Sequence, residues 1–420
     1  MGDEEELLEP TRLPLPRRVR LGALLLAVLA IATAVAVRVW PRSAHPSAAP
    51  PPRTTSGALV LPPPASETTT LTPRPWPTAP GACGSDADLP IVSSTAPGER
   101  TGIRVLLAGR RLRTVDFDTG RVTGETPAGL RPGEFVVDLD VASQTYAVTT
   151  TCEFSSLRVV RVGVRTGPVT LAGSIDMVLS DGADAWGVSS PTEDHPRGLL
   201  IPLAGGRRVQ LPAGFYPQAS ASGVVVGILQ RESEGTSPGS VLLIDATTGR
   251  LRANLGKGWP VAAGNGLVVW AESCDADSNK PCILRRMSVA DARATSYRLP
   301  RPAFAGVVSP DRRLLALTLE RPTRDAQFEG HPIAPNEVAI LHLDTGRLTI
   351  VPGVEVPAKA DPGLAFSADS RWLVIALDAG SKTRLLAWRP GLAHPYESRP
   401  VAGQTLQPPP ILVVPARIGG

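Results

Sequence analysis

The sequence predicts an all-β protein, because two short landmarks each recur seven times between residues 81 and 420. The repeat length of about 45 residues, with two hairpins in each repeat, favours a seven-bladed β-propeller with four strands in every blade. An uncharged run near the N-terminus and a Pro-rich stretch behind it predict a membrane anchor and a linker in front of this domain.

The first landmark is a turn followed by a short apolar strand, centred near Gly102, Gln144, Gly182, Gly223, Gly266, Arg312 and Ser370. The second is a strand that ends in a tight turn, as in VDFDTGRV, LIDATTGRL and LHLDTGRL. Asp and Gly suit such turns because Gly tolerates positive φ and Asp bonds to the nearby backbone. A β-sandwich would need about half this length, and a parallel β-helix would have shorter repeats.

Two questions about the ring stay open at this point. Eight blades are the alternative if Leu89–Thr95 opens a further blade. The first blade is short of a strand, and the apolar run Ile411–Val414 is expected to supply it. Pairing of this kind would close the ring, because an open ring leaves an unpaired edge strand.

Some of these motifs resemble those of known repeat families. SPDRRLLAL and SADSRWLVI resemble the SPDGxxLA element of WD-repeat-like and TolB-like propellers, and the IDATTGRL and LDTGRL turns resemble quinoprotein-like repeats. The resemblance covers residues from about 100 to 400 and implies a propeller fold. The seven tryptophans follow no blade period, which argues against a quinone cofactor, and no cofactor is expected.

The membrane anchor is predicted from Leu21–Val37, an uncharged run bracketed by Arg20 and Arg38. With Trp40 at the interface, residues 21–40 form a transmembrane helix of sufficient length. A cleaved signal peptide is the competing interpretation. The region of 20 residues before the apolar run is long for a signal peptide, however, and it carries an acidic cluster at residues 3–6. The slight excess of arginine before the helix predicts a cytoplasmic tail (1–20), a single pass through the plasma membrane and an extracellular C-terminal domain (81–420).

Amino-acid composition predicts a linker and indicates the class of organism that the chain resembles. Residues 41–80 are rich in Pro, Ser, Thr and Ala and predict a disordered, extended linker. Only four of the 43 basic residues are lysine, and with 44 prolines and 40 glycines the chain resembles proteins of high-GC bacteria, the actinobacteria in particular. A net charge of +4 and 4% aromatic residues exclude a nucleic-acid-binding surface.

All four cysteines follow the predicted anchor. Cys274 and Cys282 stand at the two ends of a loop between neighbouring strands, where a disulfide can close. Cys83 and Cys152 would then tie the entry of the domain to the ring. No C-x-x-C spacing supports a metal or redox site, so two disulfides and an oxidising compartment are expected.

Metal and catalytic signals are weak. Asp275, Asp277 and Asn279 open a D-x-D-x-N calcium pattern, but Lys280 and Arg286 stand where Gly and Glu are required. A solvated loop is therefore preferred to a calcium site. The five histidines are dispersed, and neither a G-x-S-x-G elbow nor a P-loop occurs.

The connections between second and third strands should all emerge on one face of the ring, where binding sites on rigid scaffolds usually lie. The long ones are Ser190–Gly198, Arg231–Gly239, Cys274–Cys282, Glu320–Asn336 and Asp378–Lys382. Their candidate binding residues are Arg231, Glu232, Arg321, Arg324, Asp325 and His331. Tolerated insertion without function is the alternative interpretation.

The leading functional hypothesis is a non-enzymatic binding or scaffold module for an extracytoplasmic protein, peptide or glycan. A lactonase-like or dehydrogenase-like propeller enzyme is the second hypothesis, with Asp138, Asp140 and Asp176 as the acidic candidates near the inner strands. An envelope sensor, whose short cytoplasmic tail contacts a regulator, is the third.

Overall fold

The structure is a computed structural model that describes residues 92–107, 111–127, 129–131, 134–141, 145–151, 157–162, 169–170, 175, 177–181, 184–189, 197–229, 239–273, 282–320, 336–356, 362–378, 383–399 and 411–414. All of them belong to one of two compact units of the chain, and the second unit, Arg12–Thr78, lies outside the described residues. The predicted anchor and linker lie outside them as well. In the described ranges, no helix has the length and apolar character that a membrane span requires.

The described residues form 28 β-strands in seven four-stranded sheets, which confirms the all-β prediction. The strands are β1 (Arg104–Leu107), β2 (Arg111–Asp116), β3 (Arg121–Pro127), β4 (Glu134–Val141), β5 (Thr145–Thr151), β6 (Leu157–Val162), β7 (Val169–Thr170), β8 (Met177–Ser180), β9 (Ala185–Ser189), β10 (Arg197–Pro202), β11 (Val209–Ala213), β12 (Phe215–Ala221), β13 (Val224–Leu229), β14 (Ser240–Asp245), β15 (Leu251–Lys257), β16 (Trp259–Gly264), β17 (Leu267–Ser273), β18 (Cys282–Ser288), β19 (Ala294–Leu299), β20 (Ala303–Val308), β21 (Leu314–Leu319), β22 (Asn336–His342), β23 (Leu348–Val356), β24 (Gly363–Phe366), β25 (Leu373–Asp378), β26 (Thr383–Trp388), β27 (Tyr396–Glu397) and β28 (Ile411–Val414). Sheet 1 has the order β28-β1-β2-β3, and sheets 2 to 7 take the following strands four at a time, from β4–β7 to β24–β27.

The sheets are arranged cyclically, as in a β-propeller. The first strands β28, β4, β8, β12, β16, β20 and β24 contact one another in a closed cycle and are therefore the innermost strands. Ile411–Val414 pairs antiparallel with Arg104–Leu107, with Val414 opposite Arg104. The C-terminal run thus completes sheet 1, as its sequence predicts, and protects an edge that would otherwise be unpaired.

The described part of the segment that would have opened an eighth blade, from Val92 to Thr95, joins other sheets. Val92 forms a bridge with Val354 on β23, and Thr95 forms one with Tyr396 on β27. The Ser93 amide also donates to the Gly353 carbonyl at 2.8 Å. This segment therefore packs on the outermost strands of sheets 6 and 7 and forms no further sheet in the described part of the chain.

The core lies between neighbouring sheets, and this explains the nearly continuous apolar strands. On β21, Leu315, Leu317 and Leu319 pack into a cluster shared with sheet 5. Ala316, which points to the opposite face, packs into a cluster shared with sheet 7. Since side chains alternate along a strand, a central strand covered on both faces needs apolar residues at almost every position.

The two ends of the ring differ because neighbouring strands are antiparallel. Connections from first to second and from third to fourth strands share one end, here called the turn side. Two of them are the two-residue turns Ser222-Gly223 and Asn265-Gly266, whose φ values of 46°, 74°, 50° and 76° are the positive ones that such turns require. Connections from second to third strands, and from each sheet to the next, share the other end, here called the loop side.

Candidate functional site

The longest connections from second to third strands leave the loop side, as predicted. Residues 230–239 join β13 to β14, residues 274–281 join β17 to β18, and residues 320–335 join β21 to β22. Leu229 is paired with Ser240, and Leu319 with Glu337, so two of these connections start and finish at the same end of their sheets. The candidate functional site is therefore the loop side, where all three of these connections begin and end.

The charged candidates of this face lie outside the described residues. They are Arg231, Glu232, Arg321, Arg324, Asp325 and His331, together with the weak calcium candidates Asp275, Asp277 and Asn279. In the ranges that the structure describes, no group of three or more His, Cys, Asp or Glu side chains is arranged to hold a metal ion.

One predicted disulfide cysteine is described. Cys282 is the first residue of β18, is buried and is disulfide-bonded. Cys83, Cys152 and Cys274 lie outside the described residues, so the proposed pairing stays a prediction.

A largely buried ion pair lies at the loop side of sheet 2. Glu134 begins β4 and Arg158 lies on β6, and their side chains are 9% and 11% exposed. Arg158 Nε donates to Glu134 Oε1 at 3.0 Å, and Nη2 donates to the Gly129 carbonyl at 2.9 Å. Burial alone raises the pKa of Glu134, but the hydrogen bonds from Arg158 and from the Arg131 amide outweigh it and hold that pKa below its ordinary value.

Three further sheets carry ion pairs that involve the third strand. Arg285 Nε meets Glu272 Oε2 at 2.6 Å in sheet 5, Arg301 pairs with Glu337 in sheet 6, and Arg384 binds Glu397 through two bonds of 2.7 and 2.6 Å in sheet 7. Two of these pairs lie within one sheet, and Arg301 reaches sheet 6 from the connection between β19 and β20. These pairs act as supports for the loops rather than as free ligand-binding groups.

The innermost strands of sheets 4 and 5 place two aromatic residues at the same position. Tyr216 is opposite Ile228 and is followed by Pro217, after which a β-bulge interrupts the pairing. Trp259 is opposite Ala271 and is followed by Pro260 and then by an equivalent bulge. In sheet 2, Phe135 takes the same register position before a bulge. Bulges reorient the side chains near them and occur often beside functional sites.

The backbone around these residues explains their placement. Gly258 has a φ of 148°, and a Cβ built on it would lie 2.1 Å from the Ala271 carbonyl oxygen, so only glycine fits before Trp259. The indole Nε1–H of Trp259 donates to the Ala303 carbonyl of the next innermost strand at 3.2 Å. Pro217 and Pro260 are tolerated because an innermost strand has one edge free of partners.

The two aromatic side chains differ in exposure. Tyr216 is 40% exposed although it lies on an innermost strand, while Trp259 is half-buried against the core between sheets 5 and 6. Gln218, the bulged residue after Pro217, is also exposed. Since the preceding Phe215 packs against sheet 3, Tyr216 points to the opposite face of its sheet, toward sheet 5.

The acidic candidates for an enzyme site are only partly placed. Asp138 and Asp140 belong to the innermost strand β4, opposite Val148 and Tyr146. Asp176 lies outside the described residues. The structure therefore brings two of the three onto one innermost strand.

On the turn side, neighbouring turns are joined directly. Asn265 Nδ2 of sheet 5 donates to the Val308 and Ser309 carbonyls of sheet 6, both at 3.2 Å. The Asp311 amide of sheet 6 donates to Ser370 Oγ of sheet 7 at 3.0 Å. These hydrogen bonds give the polar turn residues a structural role. The loop side therefore remains the candidate site.

Sequence reasoning missed Tyr216, Gln218 and Trp259. A signal for them exists in the strings Gly-Phe-Tyr-Pro at residues 214–217 and Gly-Trp-Pro at residues 258–260. Each places an aromatic residue directly before a proline at the start of a first strand. Once the strand order is known, this repeated aromatic-proline pair indicates an equivalent position at the loop-side end of two first strands.

No protein-family model and no curated relative matches the chain. Similar solved structures include TolB from Acinetobacter baumannii, with 17% identity, a TM-score of 0.40 and coverage of 61% of this chain and 62% of TolB. AztD from Citrobacter koseri has 8% identity, a TM-score of 0.44 and coverage of 74% and 98%. Hydrazine synthase from Kuenenia stuttgartiensis has 13% identity, a TM-score of 0.43 and coverage of 61% and 76%. These likenesses concern the fold and carry no argument about function.

Proposed function

We propose that this chain is a single-pass membrane protein that holds a seven-bladed β-propeller outside the cytoplasm as a binding module for an envelope component. The observation that carries the proposal is that the long connections of sheets 4, 5 and 6 all begin and end at the loop side of the ring. Variable loops on a rigid scaffold are a common basis for binding. The exposed Tyr216 lies near the loop-side end of an innermost strand and adds an aromatic contact there.

A retention experiment with the full chain tests this function. Envelope fragments are immobilised, and the detergent-solubilised chain is passed over them. Replacing residues 321–335 by a Gly-Ser-Gly turn should reduce retention strongly. The matched control is Asp291→Ala with Arg293→Ala, two exposed residues of a turn-side connection, which should leave retention unchanged. Equal loss in both variants would contradict a loop-side function.

The location outside the cytoplasm is part of the same proposal. The uncharged run at residues 21–37 and the disulfide at Cys282 support it, since structural disulfides persist in oxidising compartments. An alkaline phosphatase fused after Gly420 should be active on intact cells, and the chain should resist carbonate extraction from membranes. An N-terminus cut between residues 37 and 92 would instead identify a secreted protein.

A further inference from the structure

We propose that the outer rim of sheets 3 and 4 docks on an anionic membrane surface, through three arginines and one leucine at the turn side of the ring. These residues are Arg207, Arg208, Arg250 and Leu251, here called the basic rim, and all four are exposed. The basic rim lies at the opposite end of the ring from the loop side. The proposal therefore goes beyond the binding function proposed above and names a second surface with its own partner.

The charge of the basic rim sets it apart from the rest of the circumference. In sheets 3 and 4, the turn after the third strand and the outermost strand (203–213 and 246–257) together carry five basic residues and no acidic one. The corresponding segments of sheets 1 and 6, 117–127 and 343–356, each carry one arginine and two acidic residues. Of the six sheets in which this segment is described, sheets 3 and 4 alone lack an acidic residue there.

The two halves of the basic rim meet at a close backbone contact. Both turns connect a third strand to a fourth, so both lie at the turn side. A Cβ built on Gly249 of sheet 4 would lie 2.5 Å from the Gln210 carbonyl oxygen of sheet 3 and 2.9 Å from a methyl carbon of Val209. Arg250 follows this glycine and Arg208 precedes Val209. The contact therefore brings the arginine-bearing backbones of the two sheets together.

Leu251 adds an apolar side chain beside these charges. It is 56% exposed, the highest value among the markedly exposed large hydrophobic residues of the described ranges. Its cross-strand partner is Ile244, which packs in the cluster shared by sheets 3 and 4. Directly opposed residues lie on the same face of a sheet, so Leu251 is on the face of sheet 4 that is turned toward sheet 3. It therefore shares one boundary with the arginines.

The arginines of the basic rim take no part in holding the ring together. Within the described ranges, the guanidinium groups of Arg207, Arg208 and Arg250 form no hydrogen bond or ion pair. The nearby Asp245 carboxylate accepts bonds from the amides of its own turn and pairs with Arg252 at 3.2 Å. Unpaired guanidinium groups are suited to phosphate, which they bind through two parallel hydrogen bonds.

An anionic bilayer explains both parts of the basic rim. Arginines meet lipid phosphates at such a surface, while an exposed apolar side chain enters the boundary between headgroups and acyl chains. An anionic polymer would use the arginines but not Leu251. Nucleic acid is disfavoured because neither segment contains an aromatic residue on which bases stack. The anchor proposed for residues 21–40 would also keep the rim at a high effective concentration near a bilayer.

The test uses the full chain in lipid nanodiscs and measures hydrogen exchange of the backbone amides of residues 203–213 and 246–257. Exchange should be slower in discs of phosphatidylglycerol and phosphatidylcholine in equal amounts than in discs of phosphatidylcholine alone. Salt at about 1 M should remove the difference, because it shortens the screening length to about 3 Å. Residues 343–356 of sheet 6 are the internal reference and should exchange equally in both discs.

Substitutions in the basic rim test the named side chains. Arg250→Gln should reduce the lipid-dependent protection roughly fivefold, the contribution expected of one arginine near an anionic surface. Combining it with Arg207→Gln and Arg208→Gln should abolish that protection, and Leu251→Ser should reduce it.

The matched control removes the same number of charges from sheets 1 and 5 through Arg121→Gln, Arg293→Gln and Arg298→Gln, all at exposed positions. It should keep the full protection. Thermal unfolding of each variant shows whether the ring is intact.

The membrane inference fails if exchange is equal in the two kinds of disc, or if the control variant loses as much protection as the triple variant of the rim. It also fails if soluble polyphosphate protects these amides in neutral discs while phosphatidylglycerol does not, a result that would identify a polymer as the partner. Loop-dependent envelope retention that persists when the rim is inactive would leave the proposed function intact. A chain that does not insert into discs would overturn the anchor, and the same exchange comparison with preformed vesicles of both compositions then decides on the rim.

Discussion

The Asp181 carboxylate joins two sheets of the ring through the backbone amide of Gly223. Its Oδ2 accepts the hydrogen bond from Gly223 N at 2.8 Å, across the boundary between sheets 3 and 4. Its Oδ1 accepts a bond from Asp184 N at 2.9 Å within its own turn. One side chain therefore shapes a turn and attaches it to the next sheet.

Replacing Asp181 by alanine should lower the free energy of unfolding by about 1–2 kcal/mol, because the Gly223 amide loses a charged acceptor. Urea unfolding followed by circular dichroism measures the change. Asp184→Ala is the matched control, since the exposed Asp184 carboxylate has no partner in the described residues. A similar decrease in the free energy of unfolding for both variants would show that the contact between the sheets does not stabilise the protein.

Ring closure gives a second prediction. Deleting residues 408–420 removes β28 and leaves β1 without its inner partner, so the unfolding midpoint should fall by many degrees or cooperativity should be lost. Deleting only residues 415–420 keeps the pairing of β28 and should leave the midpoint close to that of the full chain. An unchanged midpoint after the larger deletion would show that the ring holds without its C-terminal strand.

Most of the fold could be predicted from local patterns. The Asn265-Gly266 and Ser222-Gly223 turns need residues that tolerate positive φ, and the apolar strands follow each of them directly. The contacts of Val92 and Thr95 with outer strands could not be predicted, because each is one isolated bridge with no alternating pattern around it. Such contacts depend on where distant strands end, and that information is not local.

The buried pair of Glu134 and Arg158 gives a third prediction. Arg158→Met should lower the free energy of unfolding by about 2 kcal/mol, because a largely buried carboxylate is left without its cation. The double variant Glu134→Gln with Arg158→Met should lose less than the sum of the single changes. Arg313→Met is the control, since its pair with Asp344 is exposed and should matter by less than about 0.5 kcal/mol. Additive single changes would show that the two groups do not interact.

The candidate site was only partly predictable. The loop side followed from the strand order, because antiparallel strands send alternate connections to opposite ends. Glu134 and Arg158 lie 24 residues apart without a pattern that links them, and their pairing depends on β5, which lies between β4 and β6 and brings the two side chains to the same end of the sheet. Tyr216 and Trp259 become comparable only when the bulges after Pro217 and Pro260 align the two sheets. Register of this kind arises from the pairing, which sequence periodicity does not specify.

His342 gives the fourth prediction, a dependence of stability on pH. This residue is half-buried on β22, and burial lowers the pKa of its imidazole, an effect that the nearby Asp344 carboxylate opposes only in part. The folded protein therefore keeps His342 neutral at pH values where the unfolded chain, with an ordinary pKa of about 6.5, already binds a proton. Stability should fall as the pH drops below about 6.5, because the proton favours the unfolded state.

His342→Gln should remove part of this loss, so its unfolding midpoint should fall less than that of the wild type between about pH 7.5 and pH 5.5. Measurements in this window avoid the carboxylates of Glu134 and Glu397, whose lowered pKa values make their contribution decline only below about pH 4.5. His394→Gln is the matched control, because His394 is exposed on a turn-side connection. A wild type that is equally stable at both ends of the window would show that His342 binds its proton as readily in the folded ring as in the unfolded chain.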